Sequence, residues 1–400
     1  MMDKFTKLHL TDHQFKVFLP TQKGDIKSQV INCINQLNSY LDSAKYNKRY
    51  VVRQNYFVSV NINSEFEEAQ KIILSLSNDF FGLSIPLSVI SQPPLADDII
   101  VVAEYLILPG LENDDIEYKK IDDTPYIVAQ NDIGSYIIAA GIGKIISISD
   151  IYNQATYSFE IMEQILKNEN LNFSDIIRQW NYIENIVGYT SNMQHYQIFN
   201  DVRSTYYEKS DFVNGYPAAT GIGMNCGGVI IDFIAFKPAN STRIIPIHSP
   251  VQVNAHQYSI NVLDKYACTV GSNPTTPKFE RAKVVINDSM GILFVSGTAA
   301  IKGELSYNQN NIEVQTQMTV DNVQKLVEFD NLKKHNILDC YEIIPHEYRV
   351  YIKRKEDYFV AKNIIDKTIG NVPVLYLMAD ICRQELLIEI EAVYTLMLKE

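Results

Sequence analysis

The chain has 400 residues, 46 % hydrophobic and 20 % charged, which suits a globular protein of two or three domains. Its net charge of −12 and pI near 5.1 argue against the basic face that nucleic acid requires, while leaving room for a small anion held by a few local arginines. No apolar run approaches the roughly 20 residues that span a bilayer, and MMDKFTKLHLTDHQFKVF lacks the apolar core of a signal peptide, so a cytoplasmic protein without a membrane partner is expected.

Residues 1–115 form an N-terminal region, an extension ending near LENDD. The next unit, 116–238, holds a strand SYIIAAGIGKI, a helix from about Ile151 to Lys167 and a strand IIRQWNYIENI. A helix over about Tyr196 to Glu208 and two strands, YPAATGIGM and VIIDFIAF, complete it. Residues 239–281 read as a connector, with scattered Pro, Ser, Asn and Thr in STRIIPIHSP and GSNPTTPK.

The last unit, 282–400, opens with KVVIND and GILFVSGTAAI, a hairpin around Ser289, Met290 and Gly291. A helix over about 314–333 carries Val323, Leu326 and Val327 on one face, and a strand YRVYIK follows. A second helix, about Glu356 to Thr368, stops at Gly370, and strands VPVLYLMA and LLIEIEAVY close the unit. Both units read β-β-α-β-α-β-β, an α+β arrangement with helices on one face of a sheet. Gly141 to Pro217 and Gly297 to Pro373 are the same number of residues apart, and each Pro opens a strand, which supports a tandem duplication.

Five widely spaced cysteines suit free thiols, and seven histidines without paired spacing argue against a metal site; no cofactor is expected. ATGIGMNCGG at 219–228 lies between two strands rather than between a strand and a helix, so a tight turn explains it better than a phosphate loop. Trp180 and Asn181, the only Trp with an adjacent amide, read as a candidate site or equally as a packed strand.

The last strand poses the sharper question. In LLIEIEAVY, Glu389 and Glu391 share one face with Leu387 and Val393, and burying an unpaired carboxylate costs several kcal/mol. One reading leaves both carboxylates in water; the other puts Glu389 in an apolar cleft, where desolvation raises its pKa and makes it a proton donor near neutral pH. Cys382, seven residues earlier, reads either as a small buried side chain or as part of the same site.

The element order and the ending I-E-I-E-A resemble the YjgF-like, or reactive intermediate deaminase, fold. An ordered set of segments is more specific: W180-N181-Y182-I183, Y196-Q197-x-F199-N200-x-x-R203, Y216-P217-A218-A219-T220-G221, H256-Q257-Y258, P277-x-F279-x-R281-A282, S296-G297-T298-A299 and A379-D380-I381-C382-R383. With L387-I388-E389-I390-E391-A392 they resemble the chorismatase family over more than half of the chain. That resemblance implies removal of pyruvate from chorismate, with Glu389 protonating the enolpyruvyl methylene carbon and Cys382 beside it. It implies Asn181, Arg203, Tyr266, Arg281, Ala299 and Arg383 as the substrate-binding set; guanidinium forks suit carboxylates. Cys382 resembles the members that give 3-hydroxybenzoate, whereas Ala299 is closer to the hydrolytic members that give a dihydroxycyclohexadiene acid. The loop YACTVGSNPTTPKFERA departs from the family's shorter connection. A monomer acting as a pseudo-oligomer of the fold is expected. The runners-up are an imine or enamine deaminase, whose arginine place is Val374 here, and a catalytically silent small-molecule-binding module.

Overall fold

Short acceptors open several of the helices, and a left-handed residue closes each of the first two. The computed structural model describes residues 14–399 except 110, 112–114, 132, 145–149, 240, 264–273, 289, 308–309 and 338–340. Asp25, Asp150 and Asn311 each accept a backbone N–H from the first turn of the helix that follows. Gly82 ends its helix at φ +71°, a conformation that glycine adopts without a Cβ penalty.

The region read as an N-terminal extension is a folded unit. It runs β1 (Gln14–Phe18), α1 (Ile26–Ala44), β2 (Val51–Val58), α2 (Asn63–Phe81), β3 (Leu87–Ile90) and β4 (Val101–Ile107), in a sheet of order β1-β4-β2-β3. Only β2 and β3 pair in parallel; β1 and β2 both pair antiparallel with β4.

The second unit has β5 (Ile116–Ile121), β6 (Thr124–Asn131), β7 (Gly134–Ile142), α3 (Ile151–Asn168) and β8 (Ile176–Glu184). A short hairpin of β9 (Tyr189–Thr190) and β10 (Met193–Gln194) leads into α4 (His195–Tyr207), β11 (Ala218–Met224) and β12 (Val229–Pro238). Its sheet has the order β11-β8-β12-β7-β6-β5.

The third sheet begins within the expected connector, because β13 (Arg243–Ile247) adds an edge to β14 (Ala282–Ile286) and β15 (Met290–Ala299). After a small hairpin, β16 (Ile301–Lys302) and β17 (Leu305–Ser306), come α5 (Ile312–Val327) and α6 (Phe329–Lys334). The expected single helix is split because Glu328, at ψ 140°, leaves the helical region. Next come β18 (Tyr341–Ile352), α7 (Tyr358–Ile369), β19 (Val374–Met378) and β20 (Ile388–Leu398), in the order β13-β14-β15-β20-β18-β19. The second and third units both show the β-β-α-β-α-β-β order read from the sequence.

The four strands common to all three sheets, β1-β4-β2-β3, β7-β12-β8-β11 and β15-β20-β18-β19, follow one topology, so one unit occurs three times. Side chains of the first sheet alternate toward one shared core, and β3 lies against β7, β11 against β15 and β1 against β18, which closes a ring. Each middle strand sends one arginine inward: Arg53 from β2, Arg178 from β8 and Arg349 from β18, all buried. They surround the only tryptophan, with guanidinium carbons 4.1, 4.4 and 5.9 Å from the Trp180 ring centroid. Three buried cations are tolerable only with close anions. Glu104 on β4 supplies one, accepting from Arg53 at 2.9 Å and from Arg349 at 2.6 Å. Burial pushes the Glu104 carboxyl up, but the two arginines outweigh it and hold it below the ordinary range.

Register aligns three carboxylates. Glu104 faces Asn55, Asp232 faces Trp180 and Glu389 faces Tyr351, each two residues beyond that unit's arginine. Glu104 serves the arginine centre. Asp232 accepts from Asn55 Nδ2 and the Gly141 N–H, at 2.8 and 2.9 Å, and from the Ser88 hydroxyl. The third, Glu389, borders a cavity.

Candidate active site

The cavity lies where the second unit meets the third. β11 contributes Ala219 and Gly221, α4 contributes Tyr196 and Asn200, β15 contributes Gly297 and Ala299, and β20 contributes Glu389. The segment before β14 adds Phe279 and Arg281, and the turn before β20 adds Cys382 and Arg383. Tyr258 completes the wall.

Backbone register and a missing side chain together aim Glu389. A bulge between Val295 and Thr298 interrupts the β15–β20 ladder, and Gly297 sits inside it. A Cβ at Gly297 would come 2.1 Å from Glu389 Oε1, so the carboxyl occupies the space that any other residue would fill. Gly141 holds the corresponding place in the second unit, where a Cβ would come 2.1 Å from the Leu87 carbonyl oxygen.

Glu389 is 4 % exposed and makes no hydrogen bond among the described residues. Burial is the main cause that pushes its carboxyl up to about 8, and the negative charge of Glu391 adds to it, against Arg178 and Arg281. The group is therefore a protonated acid at neutral pH, facing open space. Cys382 is half-buried beside it, and burial pushes its thiol up to about 12, so sulfur is present as neutral S–H rather than as a thiolate nucleophile.

Glu391 has the opposite surroundings. Trp180 Nε1 and Arg178 Nη2 donate to it at 2.8 Å each, Arg349 Nη1 lies 2.9 Å away, and the Thr220 hydroxyl donates as well. The same Thr220 oxygen accepts the Gly297 N–H at 3.1 Å, which ties the bulge under Glu389 to the ion network under Glu391.

The residues expected from sequence divide into three groups. Glu389, Cys382, Arg281, Ala299 and Arg383 all border the cavity. Arg281 is 2 % exposed and donates through Nη2 to the Tyr258 hydroxyl and the Val253 carbonyl, both at 2.6 Å, while Arg383 Nη1 donates to the Glu304 carbonyl at 2.9 Å. Asn181 and Arg203 stand behind the wall: Asn181 Nδ2 donates to the Thr220 carbonyl at 2.9 Å, and Arg203 Nη2 donates to Asn200 Oδ1 at 2.6 Å. Tyr266 lies outside the described residues. Val374, the arginine place of a deaminase, is on β19 and does not border the cavity.

Tyr196, Asn200 and Tyr258 line the cavity without having been assigned roles from sequence. Their motifs, Y196-Q197-x-F199-N200 and H256-Q257-Y258, are visible in the chain, but strand or helix pattern alone does not say which side chains face a ligand. Arg281 and Arg383 stand over the Tyr258 ring, 5.6 and 5.3 Å from its centroid, so this tyrosine holds two cations at one edge of the cavity. No helix among the described residues is long and apolar enough to cross a membrane.

Residues 130–235 match a family model described as chorismatase FkbO/Hyg5-like, N-terminal. The chain is 28 % identical over 269 residues to a 3-hydroxybenzoate synthase of Streptomyces hygroscopicus, covering 65 % of this chain and 74 % of that protein. It is also 28 % identical to a chorismatase of Streptomyces rapamycinicus, covering 56 % of this chain and 65 % of that protein. A crystal structure of a chorismatase superposes with a TM-score of 0.67 at 19 % identity, covering 98 % of this chain and 99 % of that one, which shows a shared fold. By sequence the chain is a relative of the chorismatases, and by structure it carries their fold.

Proposed function

We propose that the protein removes pyruvate from chorismate, with Glu389 as the carbon acid. The observation that carries this reading is a buried carboxyl with no hydrogen bond among the described residues, pushed up to about 8 by burial and facing a cavity flanked by Arg281 and Arg383. Protonating a methylene carbon needs such a group, and a dicarboxylate substrate needs cations near it. The Glu389 proton goes to the methylene carbon of the enolpyruvyl ether and leaves an oxocarbenium ion. If water captures that ion, collapse of the adduct gives pyruvate and the dihydroxycyclohexadiene acid. If the neighbouring ring hydroxyl captures it, its proton returns to Glu389 and a cyclic ketal forms; the bond from the ring to the captured oxygen then breaks as the ether carbon of the ring gives up its proton to that oxygen, and the aromatic hemiketal collapses to pyruvate and 3-hydroxybenzoate, with no water consumed overall.

Cys382, the residue that resembles the members giving 3-hydroxybenzoate, borders the same cavity as Glu389 and supports that product, while Ala299, closer to the hydrolytic members, borders it too. Of the relatives in Streptomyces, one is named a 3-hydroxybenzoate synthase and another a chorismatase, which supports chorismate as the substrate. Purified protein incubated with chorismate should release pyruvate, measured by a coupled lactate dehydrogenase assay, and chromatography should identify the aromatic product. Absence of pyruvate would overturn the proposal.

A further inference from the structure

Beyond the catalytic cavity, a second one of about 440 Å³ lies further along α4. The helix serves both, because Tyr196, Asn200 and Ser204 recur at four-residue spacing: the first two border the catalytic cavity and Ser204 borders the second. The extended segment before β14 separates them by alternation. Pro277, Phe279 and Arg281 border the catalytic side, while Lys278 and Glu280 border the other.

The second cavity is bordered by buried polar atoms that have no hydrogen-bond partner among the described residues. Ser204, 2 % exposed, leaves Oγ unbonded, and Glu280, 3 % exposed, leaves Oε2 unbonded although its Oε1 accepts from the Tyr216 N–H at 3.1 Å. His256 leaves Nδ1 unbonded, 3.9 Å from Glu280 Oε1, and His248 Nε2 stands 3.6 Å from Oε2. Native interiors satisfy nearly all such atoms with protein, water or ligand, so three beside one cavity mark it as a place where a polar ligand could bond. A metal does not suit them: no group of three or more His, Cys, Asp or Glu side chains among the described residues can hold one.

The chemistry of the wall narrows the occupant. Glu280 offers an acceptor to an ammonium group. Ser204 and Lys278 offer donors to a carboxylate, and Lys278 Nζ is otherwise bonded to the Thr276 hydroxyl at 3.1 Å. Phe212 and Tyr216, with ring centroids 4.5 Å apart, form an aromatic side for a planar apolar body. We propose that this cavity is a second ligand site, distinct from the one holding Glu389, and that it takes a small zwitterion of the chemical class of an aromatic α-amino acid. The proposal does not depend on the reaction assigned to Glu389.

The test titrates the full chain with L-phenylalanine, phenethylamine and 3-phenylpropionate, by calorimetry and ligand-observed NMR. L-Phenylalanine should bind saturably, and each half-charged analogue about tenfold or more weakly, the effect of losing one charge-assisted hydrogen bond. Glu280→Gln should weaken L-phenylalanine binding by a similar factor, whereas Glu389→Gln, in the other cavity, should leave it unchanged. Lys278→Ala, at a half-buried position that a folded chain tolerates, should weaken it independently if Glu280→Gln proves unstable. The proposal is overturned if L-phenylalanine does not bind, if either analogue binds as tightly, if Lys278→Ala leaves its affinity unchanged, or if Glu389→Gln abolishes its binding.

Discussion

Glu389 and Glu391 stand two residues apart on one face of β20, yet Glu391 is held by Arg178, Arg349, Trp180 and Thr220 while Glu389 has no hydrogen bond among the described residues. The pair is a division of labour between an anion that completes the core and an acid that faces a cavity. The charge on the first also helps to keep the proton on the second.

Replacing Glu389 by Gln keeps the shape and removes the proton donor. Turnover should fall by about 10²-fold or more, the usual range for a lost general acid, while the melting temperature stays near that of the parent. Pyruvate release and a thermal melt measured on the same preparation check both halves.

The pH dependence follows from the direction of the shift. Glu389 is raised from 4.5 to about 8, so its protonated form persists through neutrality and is lost as pH rises through about 8. The rate should therefore decline by about tenfold per unit above that point. Stability follows the same sign: the folded chain binds this proton more tightly than the unfolded one, so the contribution is fully present below about pH 4.5 and disappears as pH rises through about 8. A pH–rate profile and chemical denaturation across that window measure the two effects.

Gly297→Ala should displace the Glu389 carboxyl, because the added methyl would lie 2.1 Å from Oε1. We expect most of the turnover to be lost while the chain stays folded, since a side-chain carboxyl can rotate where backbone cannot. Normal kcat in this variant would show that the carboxyl position seen here is not the reactive one.

Glu391→Ala should act on stability first. It leaves Arg178 and part of the Arg349 fork buried without their anion, a change that costs roughly 3 to 5 kcal/mol in comparable pairs. Urea denaturation should register the loss even under conditions where residual pyruvate release is still measurable.

Cys382→Ala should move product from 3-hydroxybenzoate toward the dihydroxy acid without removing pyruvate release. The thiol borders the cavity but carries no charge for the protonation step. An unchanged product ratio would take Cys382 out of the product assignment.

Much of this was legible in the chain itself. Period-two alternation put Glu389 and Glu391 on one face, and the equal Gly–Pro intervals exposed the repeat, because both depend on local backbone geometry. The first unit, residues 14–107, was not legible: its short strands β1 and β3 offer few alternating positions, and its kinship rests on sheet order, a non-local property. Nor could pattern separate the two glutamates. Which carboxylate is paired depends on Arg178, more than 200 positions earlier in the chain, and on a bulge at Gly297 that brings open space to Glu389. The sequence by itself determined the element order, the repeat and the acidic strand, since these follow from side-chain periodicity. Tertiary structure alone decided that three arginines meet at Trp180, that Asn181 and Arg203 stand behind the wall, and that one of three equivalent carboxylates opens onto a cavity. The physical reason is that desolvation and ion pairing depend on neighbours brought together only when the three sheets close on one another.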